Sequence, residues 1–173
     1  MKKGSASIAT PSYFAGRIET PFGPALAMVD EKRRLMRFGF LAECDNGRWQ
    51  IADFNLRWDE SAVAEIARQI DAYFAGSLKQ FDLPLAPIGT VFQQAVWTEL
   101  RRIPFGETTS YARLAAKLQR PQASRAVGAA NGANPISLIV PCHRVVGSSG
   151  ALTGYAGGIA LKEALLRFEG AIA

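Results

Sequence analysis

The sequence has few of the residues that metal sites and disulfide frameworks require. Its 173 residues include one histidine, His143, and two cysteines, Cys44 and Cys142. Because a closed zinc site needs four Cys or His ligands, we expect no metal and no other cofactor. Long apolar runs are also lacking, and the residues after Lys2 and Lys3 are too polar for the core of an export signal. We therefore expect a cytoplasmic protein with reduced thiols and no membrane contact.

Basic residues are in excess, and the excess is concentrated in the second half of the chain. The net charge is +5. Residues 1–81 carry 11 Lys and Arg against 10 Asp and Glu, whereas residues 82–173 carry 9 against 5. A basic half is compatible with nucleic-acid binding, and an ordinary solvated surface explains the charge equally well.

The first part of the chain has the pattern of a small α/β unit. Residues 12–41 alternate apolar and polar positions in short runs, which residues 21–24 and 30–32 interrupt, and this indicates two or three antiparallel strands. Residues 59–74 place apolar side chains on one helical face, and the pattern stops at Gly76.

A domain boundary is predicted near residues 82–88. Segment 81–87 contains two prolines that favour an extended chain, and the composition changes after it. We assign residues 1–83 to an α/β domain with a small antiparallel sheet and a helix. Residues 84–173 are assigned to a mostly helical domain with a helix-turn-helix.

Three helices are predicted at the start of this second domain. They span residues 90–101, with Thr90 as N-cap, residues 109–118, with Thr109 at the cap position, and residues 122–130. The last two, joined by a short turn, indicate the helix-turn-helix, although an ordinary helical hairpin has the same pattern.

The third of these helices is rich in alanine and glycine, and Arg125 is its one long cationic side chain. Glycine in a helix interior costs about 1 kcal/mol relative to alanine, so a compensating role is expected. Small side chains permit a close approach, either to a groove of DNA or to the core of the protein itself.

Cys142 follows an apolar run at residues 136–140, which we interpret as a buried strand or extended segment that delivers the cysteine at its end. Cysteine attacks as a thiolate, and a neighbouring cation or imidazole favours that form. His143 and Arg144 are the candidates. An inert core cysteine would show the same local pattern.

Four short motifs surround Cys142 in the sequence. They are Pro-Cys-His-Arg-Val-Val at residues 141–146, Asn-Pro at 134–135, Gly-Tyr-Ala-Gly-Gly at 154–158 and Lys-Glu-Ala-Leu-Leu at 162–166. Together they resemble the active-site signature of the alkylguanine-DNA alkyltransferases, over residues 85–170. The resemblance implies direct-reversal DNA repair by a single-turnover, suicide cysteine S-methyltransferase. The alkyl group of O6-alkylguanine, and of O4-alkylthymine as a second candidate lesion, would pass irreversibly to Cys142.

The resemblance also implies a division of labour among four catalytic residues. Cys142 would accept the alkyl group, and His143 would act as its base through a water. Glu169 would orient and polarise His143 in a Cys-His-Glu relay. Asn134 would form hydrogen bonds across the turn between the recognition helix and the active-site segment.

The implied partner is double-stranded DNA with an alkylated base, bound through its minor groove with the damaged nucleotide rotated out of the stack. Tyr111 would line the pocket and press on the neighbouring phosphate, while Arg125 would fill the gap in the stack. The pocket would further use backbone groups of Cys142, Val145 and Ala156 and the ring of Tyr155. A monomer is expected in solution.

Two other functions fit part of the sequence. A DNA-binding module that senses alkylated bases would resemble this fold but would lack the acceptor cysteine, which this chain has as Cys142. A thiol hydrolase built on Cys142, His143 and Glu169 would turn over many substrates, and the basic helix-turn-helix would not help it.

We predict that Cys142→Ala abolishes alkyl transfer while leaving the fold and DNA binding largely intact, because the change removes one sulfur from a pocket and no groove contact. Peptide mass mapping of the reacted wild-type protein should locate the added alkyl group on Cys142. Label on Cys44 would contradict the assignment.

Overall fold

The computed structural model describes residues 12–43 and 55–173, and Cys44 lies outside these ranges. The first part contains β1 (Tyr13–Ile18), β2 (Ala25–Val29), β3 (Leu35–Phe40), α1 (Leu41–Glu43), β4 (Leu56–Trp58), a 3-10 turn (Glu60–Val63) and α2 (Ala64–Phe74). The second part contains α3 (Val91–Leu100), β5 (Thr109–Ser110), α4 (Tyr111–Lys117), α5 (Ser124–Gly132), a second 3-10 turn (Cys142–Arg144), β6 (Val145–Val146) and α6 (Ile159–Phe168). None of the helices in the described ranges is long and apolar enough to cross a bilayer.

The first part is a four-stranded sheet, in the order β3-β2-β1-β4, with α2 following it in the chain. The three strands β1 to β3 pair antiparallel, as predicted. Strand β4 pairs parallel to β1 and was not predicted. Its three residues, of which Arg57 and Trp58 are exposed, are too few to display an alternating pattern.

The turns between the antiparallel strands follow from local side-chain chemistry. Thr20 accepts a hydrogen bond from the amide of Phe22 and donates one to the carbonyl of Gly23, whose φ of 101° favours glycine. At the next turn, the carboxylate of Asp30 accepts the backbone N–H groups of Lys32 and Arg34. These bonds close the turns from β1 to β2 and from β2 to β3, and β3 is the edge strand that supports the site.

The helix starts in the second part are set by caps. Thr90 and Gln93 form a capping box at α3, as the sequence predicted for Thr90. Helix α4 is capped by Ser110, whose hydroxyl accepts the N–H of Arg113. The prediction of Thr109 as that cap was wrong, because Thr109 pairs with Val145 in the short parallel ladder β5–β6.

Helix α5 begins and ends two residues later than predicted, at Ser124 and Gly132. Residues 121–123 are taken up by the turn after α4. Asn131 and Gly132 continue the helix, and the side chain of Asn131 turns inward to the carbonyl of Cys142.

The two parts share the outer edge of β3. Leu35 donates its N–H to Pro84 and accepts one from Ala86, and farther along Phe38 exchanges backbone hydrogen bonds with Pro135 and Ser137 at 3.0 and 2.8 Å. An exposed strand edge is thereby covered. One continuous buried cluster extends from the sheet to the helical part, so the segment that carries Cys142 is anchored to the sheet.

The apolar run at residues 136–140 is neither a strand nor an extended segment, which corrects the sequence interpretation. Only Ile136 bridges to the sheet, at Phe38. The chain then folds into tight turns, with Leu138 at a φ of 68° and Val140 donating its N–H to the carbonyl of Ile136. The run is apolar because all five of its residues are buried or nearly so, not because it pairs as a strand.

Candidate active site

Cys142 lies at the first position of the 3-10 turn, where backbone and side-chain hydrogen bonds hold it. Its N–H donates to Val140 at 2.8 Å, and its carbonyl accepts the side-chain amide of Asn131 at 3.4 Å. The residue is only 4 % exposed. The thiol is therefore presented from a fixed backbone inside the protein.

Asn134 supports the turn that precedes Cys142. Its side-chain nitrogen donates to the carbonyls of Val140 at 2.8 Å and Ile136 at 3.3 Å, and its side-chain oxygen accepts the N–H of Ile136 at 3.0 Å. All three bonds are buried, so they satisfy backbone groups that a strand would otherwise have paired. Asn134 thus lies across the turn between α5 and the Cys142 segment.

His143 and Glu169 form a buried pair beside the cysteine. Nε2 of His143 lies 2.8 Å from Oε1 of Glu169, and the imidazole is fully buried. A carboxylate accepts a hydrogen bond only from a protonated nitrogen, which places the imidazole proton on Nε2. Nδ1 has no hydrogen-bond partner among residues 12–43 and 55–173 and is left with a lone pair. His143 can therefore accept a proton at Nδ1.

Glu169 follows the last residue of α6, where the helix dipole disfavours a negative charge. Arg144 compensates with two bonds, from Nε to Oε2 and from Nη2 to Oε1, both 2.9 Å long. The hydroxyl of Tyr73 donates to Oε1 at 2.5 Å, and the amide of Gly106 donates to Oε2 at 3.3 Å. Burial alone would raise the pKa of Glu169, but the hydrogen bonds from His143 and Arg144 lower it to about 2. The carboxylate is thus ionised at neutral pH.

The protonation state of His143 follows from its surroundings. Complete burial lowers the pKa of His143 below its usual value, and the bond to Glu169 opposes this only in part. The imidazole is therefore neutral at pH 7, as a general base must be.

Arg144 does not serve the thiol as the sequence suggested it could. Its guanidinium is bound by Glu169 and by the carbonyl of Ile103, which Nη1 reaches at 2.6 Å. Lys162 is a cation close enough to respond to the cysteine: burial lowers the pKa of Lys162 to about 8, and a thiolate at Cys142 would raise it. Arg144 acts on the carboxylate instead.

Lys162 also ties together the two segments that flank the site. Its ammonium group donates to the carbonyl of Val145 at 2.5 Å and to that of Thr153 at 2.7 Å. In the sequence, Lys162 stands out only as the first residue of the motif at residues 162–166. The sequence does contain a signal for a role, because one helical face is formed by Lys162, Leu165, Leu166 and Glu169. In the structure all four residues are buried.

The predicted pocket residues lie around the same segment. Tyr111 is the first residue of α4, and its hydroxyl donates to the carbonyl of Thr153 at 3.2 Å. Val145 is buried in β6, and Tyr155 and Ala156 are half-buried in the loop before α6. Burial raises the pKa of Tyr155, and so does the nearby carboxylate of Glu43.

Two further groups reach the site from the first part of the chain, and sequence reasoning missed both. Tyr73 contacts Glu169 from α2, as described above. Glu43 of α1 is buried and accepts a 2.6 Å hydrogen bond from the hydroxyl of Ser137. Both contacts join residues more than ninety positions apart, so no local pattern announces them.

Arg125 stands apart from this buried cluster. It is the second residue of α5 and is exposed. The structure thus brings Cys142, His143, Glu169 and Asn134 into one buried group and leaves Arg125 on the surface of the neighbouring helix.

Fold and site together define a two-part protein with a buried Cys-His-Glu arrangement, and comparison with known families identifies its class. Residues 13–87 match the ribonuclease-like domain of 6-O-methylguanine DNA methyltransferase, and residues 91–171 match the DNA binding domain of the same family. The chain belongs to the 6-O-methylguanine DNA methyltransferase family.

Individual relatives are similar over nearly their whole length. The methylated-DNA–protein-cysteine methyltransferase of Methanosarcina acetivorans is 48 % identical over 152 residues, covering 88 % of this chain and 95 % of the relative. The crystal structure of Mycobacterium tuberculosis O6-methylguanine methyltransferase aligns with a TM-score of 0.82 at 43 % identity, covering 93 % and 94 % of the two chains. A structure of Mycobacterium tuberculosis OGT in complex with DNA gives a TM-score of 0.82 at 44 % identity, covering 91 % and 92 %.

We predict that His143→Ala and Glu169→Gln slow alkyl transfer by about 10²–10⁴, the usual worth of general-base assistance, while sparing DNA affinity. Stopped-flow transfer rates and a binding titration test this. Glu169→Gln should also lower the melting temperature, because Arg144 would stay buried without its carboxylate, so rates must be compared well below that temperature. A wild-type rate in either variant would contradict the relay.

Proposed function

We propose that this protein repairs DNA by taking the alkyl group of O6-alkylguanine irreversibly onto the sulfur of Cys142, one lesion per molecule, with O4-alkylthymine as a second substrate. The observation that carries the proposal is the buried Cys142 beside a neutral His143, whose Nε2 is held by an ionised Glu169. The names of the relatives support the same reaction.

The reaction consumes only the thiol and the alkylated base, and water serves only to relay a proton. His143 takes the thiol proton at Nδ1 through a water, and the thiolate attacks the alkyl carbon. A sulfur–carbon bond forms as the carbon–oxygen bond to the base breaks. The departing guanine gains one proton, which balances the one lost by the thiol. The product thioether has no acid-base route back to a thiol, so turnover stops after one event.

The same chemistry weighs against the two rival functions. A sensor of alkylated bases has no use for a relay that activates Cys142. A hydrolase of alkyl groups would have to release them from a thioether, which proton transfer alone does not permit. A hydrolase of acyl groups would work through a thioester, and the basic helical part of the chain offers it no advantage.

DNA would bind along the exposed face of α5. That face has residues at helical spacing, and apart from one arginine all are small: Arg125, Ala126, Ala129, Gly132 and Ala133. Neither glycine of α5 is needed by the fold, since a Cβ at Gly132 would meet nothing within 4 Å and one at Gly128 would make ordinary contact with Tyr111 at 3.7 Å. A smooth helix face suits a narrow groove, and the minor groove carries little sequence information, as a repair protein requires.

Nucleotide extrusion would bring the lesion to the cysteine. An alkyl carbon on a guanine oxygen lies inside the duplex, whereas Cys142 is buried in the protein, so one of the two must move. Arg125 is exposed at the start of α5 and is long enough to enter the vacated stack. Tyr111, on the neighbouring helix, would contact the phosphate.

The setting of this reaction completes the proposal. The protein would act in the cytoplasm as a monomer without metal or other cofactor. The boundary between its two domains would lie near residue 83, just before the prolines that lead into α3.

The decisive experiment mixes the protein with radiolabelled O6-methylguanine DNA and follows the label. Stoichiometric transfer to protein, saturating at one label per molecule, is expected. Binding without transfer would favour a sensor, and continued release of label would favour a hydrolase.

We predict that Arg125→Ala slows repair of a lesion in duplex DNA much more than reaction with free O6-alkylguanine, because a free base needs no extrusion. The two rates are measured for wild type and variant. Equal slowing on both substrates would mean damage to the pocket or fold. An unchanged duplex rate would mean that Arg125 is an ordinary surface residue. Replacing such a residue usually changes the free energy of unfolding by less than about 0.5 kcal/mol.

We also predict that Ala129→Gln weakens DNA binding without destabilising the fold, because the larger side chain stands on the exposed face of α5 and would hold the groove away. Ala64→Gln, at an exposed position of α2, is the matched control and should leave affinity unchanged. Fluorescence anisotropy with duplex DNA and thermal melting decide the point. If the Ala129 variant and the wild type bound DNA with equal affinity, the exposed face of α5 would not be the surface that contacts DNA.

A further inference from the structure

Tyr73 belongs to α2 in the first part of the chain, yet its hydroxyl lies inside the relay of the second part. The phenol oxygen is 2.5 Å from Oε1 of Glu169, and the tyrosine is fully buried. Oε1 is also the oxygen that accepts Nε2 of His143, at 2.8 Å. Tyrosine and histidine therefore share one acceptor atom, so the strength of either bond depends on the other.

Four aromatic rings pack around the ring of Tyr73 and hold its hydroxyl against Glu169. The tyrosine ring stacks on Phe81 with a centroid distance of 5.1 Å and an interplanar angle of 28°. Three more rings pack around it at centroid distances of 5.1 to 5.6 Å: Phe74, Phe105 and Phe168. Burial and the adjacent Glu169 raise the pKa of Tyr73, so the phenol remains a donor throughout the pH range of the reaction.

We propose that Tyr73 is a positioning residue for alkyl transfer, whose hydroxyl fixes the Glu169 carboxylate and limits how strongly that carboxylate stabilises protonated His143. This inference rests on the proposed function and extends it, because it gives α2 a part in tuning the base. Packing alone would explain the aromatic ring but not a hydroxyl that donates to the oxygen used by the histidine.

The sign of the effect follows from the charges around the imidazole. The charged groups that face His143 are Glu169, Arg144 and Lys162. Glu169 faces the charged Arg144 and the titratable His143. Removing the hydroxyl of Tyr73 leaves all of them in place but leaves more negative charge available on Oε1. That charge favours the imidazolium, so His143 is protonated at a higher pH and less of it is available as a base.

Tyr73→Phe tests the proposal in the full-length protein. Because the chain has one histidine, its imidazole nitrogen signals are a direct measure of His143 in untagged protein. We expect the pKa of His143 to rise and the acid limb of the transfer-rate profile to move to higher pH by the same amount. At pH values below both pKa values, a one-unit rise lowers the rate about tenfold. DNA affinity should not change.

Phe74→Leu is the matched control, because it loosens the same aromatic cluster without touching the carboxylate. It should lower the melting temperature and leave the acid limb where it is. If Tyr73 served only packing, Tyr73→Phe would behave in the same way, with an unmoved His143 titration, and that result would overturn the inference.

A second replacement guards against a Tyr73→Phe protein that fails to fold. Site-specific 3,5-difluorotyrosine at position 73 keeps the ring and makes its hydroxyl a stronger donor, so the pKa of His143 should fall and the acid limb should move to lower pH. An unmoved titration would again overturn the inference. The nuclear magnetic resonance measurement needs no alkylated DNA, so a wild-type protein that transfers no label would refute the proposed function while Tyr73 could still be judged.

Discussion

The buried negative charge of Glu169 is the constraint on which the site depends. Removing a carboxylate from water costs several kcal/mol, and a half-satisfied buried charge is worse than none. Here the cost is met by donors from separate stretches of the chain, namely Tyr73, Gly106, His143 and Arg144. The site can exist only where α2, the loop after α3, the Cys142 segment and the end of α6 all meet.

Sequence patterns predicted what is local and missed what is not. The antiparallel sheet and the Thr90 cap were confirmed, and so was the helix after the sheet apart from its first turn, which is 3-10. Alternation, helical spacing and capping all act over a few residues. The interpretation of residues 136–140 as a buried strand or extended segment was wrong, since burial makes a run apolar whether it is extended or folded into turns. Family resemblance could name His143 and Glu169, but the bonds from Tyr73 and Glu43 join distant positions and left no periodic trace.

Hydrogen bonds connect the sheet directly to the segment that carries Cys142. Backbone hydrogen bonds of Phe38 hold residues 135–137, and the side chain of Asn134 holds the turn that follows. A thiol presented by turns would normally be loosely placed, as turns depend on few bonds of their own. Here β3 and the buried amide of Asn134 supply the hydrogen bonds that a strand would otherwise have supplied.

The sequence separation within the relay also has a consequence for how the protein is made. Cys142 and His143 leave the ribosome before Glu169. The hydroxyl of Tyr73 can form its hydrogen bond only after Glu169, 96 residues farther along, has been made. Long-range contacts of this kind form late in folding. Until α6 docks, the nascent chain carries an ordinary thiol and an ordinary imidazole. Activation of Cys142 by the histidine–glutamate pair therefore has to wait for the last helix of the chain.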